Sequence, residues 1–162
     1  MGSGRVTHAE SQGVHVLRYF GRVDYTLATA IKRFADDVVS HGDVRGWIFD
    51  LTRAEILDST NLGLLARLGG GGHNIIVSTS DDINSVLRSM SFDQIFDIVT
   101  EPPAGADDAG DDHDDAIDGP PPSSRELGET MLDAHRALVG LSERGRLEFH
   151  EVVAALEADL GA

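Results

Sequence analysis

Three short apolar runs constrain this chain more than any other feature. Val14-His15-Val16-Leu17-Arg18-Tyr19-Phe20, Trp47-Ile48-Phe49-Asp50-Leu51 and Asn74-Ile75-Ile76-Val77-Ser78 are each too brief for an ordinary helix and rich in strand formers. Between them the spacing changes. Leu27, Ala30, Ile31, Phe34, Val38 and Val39 recur at helical intervals after Thr26, which can cap them, and Gly42 stops the pattern. Leu62, Leu65 and Leu68 do the same from about Thr60, ended by Gly69 to Gly72. Asp81-Asp82 opens a third helical stretch carrying Ile83, Val86, Leu87 and Met90, and Phe92 with Ile95 to Ile98 predicts a last short strand. Val6 belongs to a partner strand before the first run. The nearly continuous apolar character of Trp47 to Leu51 suits a central strand covered on both faces. Alternation of this kind requires crossover connections, so the expected class is α/β with a mixed sheet and helices packed on it.

The pattern ends near residue 100. All five prolines lie between Pro102 and Pro122, in EPPAGADDAGDDHDDAIDGPPPSS, a segment with almost no apolar content to offset its ordering entropy. Three parts are therefore expected: a body over 5–100, an acidic flexible linker over 101–124, and a helical tail over 125–162. In the tail, Leu127, Met131, Ala134, Leu138 and Leu141 step by four, three, four and three, a coiled-coil-like stripe. Leu147, Val152, Val153, Leu156 and Leu160 continue with shifted phase, and Gly145 is the expected break. Such a stripe needs a cover, which the body, a partner or a second copy can supply. Homodimerisation through the tail is one expectation.

Charge narrows the partners. The formal net charge is −15, but residues 1–100 carry 12 acids against 9 bases, while 101–124 carry 8 acids and no Lys or Arg. Nothing here would neutralise phosphates, so nucleic-acid binding is not expected. The apolar runs are far short of the roughly 20 residues that span a bilayer. The absence of cysteine rules out disulfides and thiol chemistry. These features predict a cytoplasmic protein without membrane insertion. The clustered carboxylates lack the glycine and terminal glutamate of a calcium loop, and the seven histidines show no zinc spacing, so no metal and no cofactor is expected. The glycine run lacks the Lys-Ser/Thr of a phosphate loop, Ser59 is not in a Gly-x-Ser-x-Gly elbow, and no histidine is placed beside it by sequence. An enzyme is not expected.

The stretch Ile56-Leu57-Asp58-Ser59-Thr60-Asn61-Leu62-Gly63-Leu64-Leu65 stands where the central strand gives way to a helix. Asp58 or Ser59 can cap that helix, a contribution of about 1 kcal/mol. One cap leaves a second hydroxyl and an amide unexplained. A phosphate on a serine at this junction would be favoured by the helix dipole and free N–H groups, and would add nearly two negative charges beside Asp58.

The order of elements, with GRVDYTLA, WIFDLTRAEILDSTNLGLLARL and HNIIVSTSDDINSVLRSMSFDQIFDIV, resembles the STAS domain of anti-sigma factor antagonists over about residues 5–100. Gly21 to Asp24 match the family's Gly-x-Leu/Val-Asp; Asp58, Ser59, Thr60 and Leu62 match its Asp-Ser-Ser/Thr/Ala-Gly-Leu; Ser91 to Ile98 match its late GFD-containing segment. The resemblance implies a STAS-type mixed sheet of four to five strands, here with a C-terminal helical extension. It implies an anti-sigma factor antagonist that binds an anti-sigma factor with serine-kinase activity, is released by phosphorylation of Ser59, and is restored by a serine phosphatase. Thr60 is the second candidate acceptor. Asp24, Asp58, Ser59, Thr60, Asn61 and Leu62 form the expected switch surface. Asn61 replaces the family's glycine, and its tolerance of unusual backbone angles would preserve the turn. The rival expectation is a fixed STAS scaffold subunit, for instance in a lipid-transport ATPase complex, with Ser59 only a cap.

Overall fold

The computed structural model describes residues 4–69, 73–101 and 114–161. Six strands and five helices follow in the order β1 (Arg5–Ser11), β2 (Val14–Val23), α1 (Tyr25–Ser40), β3 (Gly46–Leu57), α2 (Ser59–Leu68), β4 (His73–Val77), α3 (Asp81–Ser89), β5 (Asp97–Val99), β6 (Asp115–Ala116), α4 (Ser124–Leu141) and α5 (Glu143–Gly161). The strands form one mixed sheet in the order β5-β4-β3-β2-β1-β6. β1 pairs antiparallel with β2 and β6, while β2–β3, β3–β4 and β4–β5 are parallel, each joined by a helix.

Alternation along the strands sorts the two faces of the sheet. Val6, Leu17, Tyr19, Trp47, Phe49, Leu51 and Ile76 turn to the helices and build the main core with Ile31, Leu65, Leu87 and Phe92. Val16, Ile48 and Val77 form a smaller cluster on the opposite face. β3 is thus apolar on both sides, as its continuous run requires. Where β2 passes Gly21, whose φ of 71° glycine adopts freely, its register with β3 slips on either side.

Several local expectations are corrected. Asp24, not Thr26, is the N-cap of α1: its carboxylate accepts from the Thr26 N–H. The segment from Phe92 opens as a 3-10 turn (Phe92–Gln94), and the strand is confined to Asp97–Val99. Ser91, where the resemblance expects glycine, sits at φ 67°. In the tail the break falls at Ser142 rather than Gly145. Gly145 lies inside α5, at a position that takes glycine because a Cβ there would stand 2.1 Å from the Leu138 carbonyl oxygen.

The acidic segment divides. Residues 102–113 lie outside the described residues. The remainder packs on the body instead of behaving as a free spacer: Asp114 takes hydrogen bonds from Thr7 and the buried Arg18, β6 extends the sheet by a sixth strand, and Ile117 enters the main core. Arg33 then binds the Pro120 carbonyl and both carboxylate oxygens of Glu126. α4 is thereby delivered across α1 and α2, and α5 folds back on α4. Ala134 and Leu138, central to the apolar stripe, have no exposure left, so the body of the same chain covers that stripe.

Candidate functional site

Val23 and Leu57 are register partners at the ends of the parallel strands β2 and β3. Both strands run straight into a helix, and each helix begins on an aspartate. Asp24 accepts from the Thr26 N–H at 3.0 Å and the Thr26 hydroxyl at 2.5 Å. These bonds, the hydroxyl first, hold its carboxyl below the usual range. Asp58 accepts from the Asn61 N–H at 3.0 Å and from the Asn61 side-chain amide at 2.9 Å. The same amide donates to the Val23 carbonyl at 3.3 Å. Asn61 therefore laces the two strand ends together. It has ordinary helical backbone, so hydrogen bonding, not tolerance of unusual angles, explains the residue that replaces glycine.

The structure brings together every residue of the expected switch surface but does not expose them equally. Asp24 and its neighbour Tyr25 are exposed, and Asp58 and Ser59 are half-buried. Thr60 and Asn61 are buried. Leu62 lines an apolar groove of about 250 Å³ with Ile56, Leu57, Ile83 and Val86, edged by Glu55 and Asp82. Ile56 and Val86 are exposed on it.

Ser59 occupies the first position of α2, with its hydroxyl 2.9 Å from His135 Nε2 in α4. His135 Nδ1 lies 2.7 Å from the Met131 carbonyl, which takes its proton. With Nδ1 donating there, Nε2 is the ring atom left to bond the serine hydroxyl. His135 is only 5% exposed and meets Phe149 of α5 edge-on, with ring centroids 5.3 Å apart. One turn further along α2, a Cβ on Gly63 would stand 2.1 Å from the Ala134 carbonyl oxygen, so backbone meets backbone where the helices cross. His135 is the site residue that sequence reasoning misses, because it reads there as one of seven scattered histidines. Its available signal is its place beside Ala134 on the apolar stripe, four residues after Met131. Among the described residues no group of three or more side chains could hold a metal, and no helix is long and apolar enough to cross a membrane.

No protein-family model and no curated protein matches this chain. Solved structures do. An anti-sigma factor antagonist from Mycobacterium paratuberculosis superposes with a TM-score of 0.53 at 22% identity, covering 61% of this chain and 87% of that one. The Bacillus anti-sigma factor antagonist SpoIIAA in its unphosphorylated form gives 0.52 at 22% identity, covering 60% and 89%. The phosphorylated form of SpoIIAA gives 0.50 at 20% identity, covering 60% and 92%. The fold is that of the anti-sigma factor antagonists. The antagonist fold accounts for the mixed sheet and its helices. It leaves about two fifths of this chain without a counterpart in those structures.

Proposed function

We propose that this protein is an anti-sigma factor antagonist: a binding protein, not an enzyme, that captures an anti-sigma factor with serine-kinase activity and is switched by phosphorylation of Ser59. The observation that carries this reading is the β3–α2 junction. There Asp58 caps the helix through Asn61, which leaves Ser59 as the half-buried hydroxyl at the first helical position of an antagonist fold. Phosphoryl transfer would join Ser59 Oγ to the terminal phosphorus of a nucleoside triphosphate, release the diphosphate and lose the hydroxyl proton. The added dianion would gain from the α2 dipole, and its bulk and charge beside Asp58 would break the packed contact with the partner. Buried Thr60 is the poorer acceptor. Leu62 and the groove of Ile56, Ile83 and Val86 supply apolar contact beside the switch, and the acidic rim favours a partner with basic residues. A serine phosphatase would reset the system.

One observation favours the scaffold reading. The Ser59 hydroxyl is already bonded to His135, as a purely structural hydroxyl would be. Phosphosite mapping by mass spectrometry on protein from its own cells separates the two. Phosphate on Ser59 that changes with growth or stress is expected; none on Ser59 in any condition overturns the switch. On the captured partner, Ser59→Ala should retain binding and Ser59→Glu should weaken it.

A further inference from the structure

The face of α2 that carries Ser59 is not free. We infer that the α4–α5 hairpin is a built-in lid on the switch, so that Ser59 reaches a kinase, and the α2 end reaches its partner, only after α4 lifts. This rests on Ser59 being the phosphoacceptor.

Three contacts define the closed state. The Ser59 hydroxyl is hydrogen-bonded to His135 Nε2, and His135 is itself held by the Met131 carbonyl. At 2.9 Å the two atoms are in hydrogen-bond contact, with no room between them for a phosphoryl group. Gly63 against the Ala134 carbonyl closes the next turn of α2 to any outside side chain. Ala134 and Leu138 bury the apolar side of the lid in the main core.

The other ties are of a kind that separates without leaving buried charge behind. Arg33–Glu126 and Lys32–Asp133 are partly exposed ion pairs between α1 and α4, which contribute little each in water. Thr29 and Thr130 share one buried hydroxyl contact at 3.3 Å. α5 packs chiefly on α4 rather than on the body, and Leu147 is 61% exposed on it. The hairpin is thus a helix pair held to the body along one side of α4, by Ala134 and Leu138 in the core and by Gly63 at the crossing, with α5 outside it. A segment of this construction opens locally at a lower free energy than the sheet beneath it. Phosphate on Ser59, once added, would hold the lid off, because the closed seam has no place for it.

The chain contains no cysteine, so a single introduced thiol reports its own exposure. In the full chain, the thiol of the Ser59→Cys variant should react with a maleimide at least about 10-fold more slowly than that of Ser85→Cys on the exposed side of α3, because reaction waits for opening. Adding Ala134→Asp, which places a charge in the seam, should raise the labelling rate of Ser59→Cys by about 10-fold or more and leave that of Ser85→Cys unchanged. Gly63→Ala pushes from the other side and stands in if Ala134→Asp fails to fold. Labelling of Ser59→Cys as fast as Ser85→Cys in the otherwise native chain would overturn the lid, as would a Ser59→Cys rate that neither seam substitution moves. Phosphosite mapping judges the underlying reading separately. Slow, seam-dependent labelling with no phosphate on Ser59 in any condition defeats the phospho-switch and leaves a lid over a structural serine. Phosphorylated Ser59 with fast labelling defeats the lid alone.

Discussion

The β2–α1 and β3–α2 junctions are near copies. Each strand ends beside the other, each hands over to an aspartate, and each aspartate caps the helix that follows. They differ in what lies above. Asp24, Tyr25 and Thr26 face solvent, whereas Ser59 lies against His135 and the turn after it against Ala134. Similar caps therefore serve two ends: one junction starts a helix in open solvent, and the other starts a helix over which a distant segment lies.

The sharpest way to break the comparison is at the helix crossing. Gly63→Ala should cost about 2–3 kcal/mol, since the new methyl meets backbone that can yield only by moving α4; urea unfolding monitored by circular dichroism measures it. Next come the caps. Asp58→Ala should cost about 1–2 kcal/mol, more than Asp24→Ala, because Asp58 also anchors the Asn61 amide that ties β2 to β3. Equal losses would mean that the lacing by Asn61 is worthless. Smaller still, Ser91→Gly should stabilise by roughly 0.5–1 kcal/mol by relieving a left-handed serine.

The smallest effects are in titration. The Asp24 carboxyl is held low chiefly by the Thr26 hydroxyl, so its contribution to folding is present above the unfolded value and is lost as pH falls through the folded one. Thr26→Val should move the Asp24 titration up toward 3.8, as read by NMR. His8 and His15, 3.0 Å apart between ring nitrogens, are both lowered from 6.5, first by burial; each also feels Glu10, which acts in the opposite sense. The native state binds fewer protons there, so stability should decline as pH drops below about 6.5 toward their folded values. His8→Phe should flatten that decline in thermal melts.

Much of the body was legible because its signals are local. The apolar run of Trp47 to Leu51 reads as a covered strand, and Leu62, Leu65 and Leu68 read as one side of a helix. The Asp58 cap was equally readable, since acceptor and donor are three residues apart. Illegible features depend on partners far along the chain. Ser59 and His135 are 76 positions apart, and Thr7 and Asp114 are 107 apart, with no periodicity to announce either pair. The acidic stretch hid β6 and Ile117 because composition averages over the few residues that pack. Gly145 drew attention as a helix breaker, yet its lack of a side chain serves close packing against Leu138.

The anchoring of Ile117 in the core has a kinetic and thermodynamic consequence for the tail. Only residues 118–123 separate that fixed point from α4, so a lifted hairpin cannot diffuse away. A tether this short gives an effective local concentration on the order of millimolar at its own docking seam. Any outside protein that claims the same face competes with an intramolecular rival at that concentration. Its apparent affinity is then set as much by the short tether as by the surface it touches.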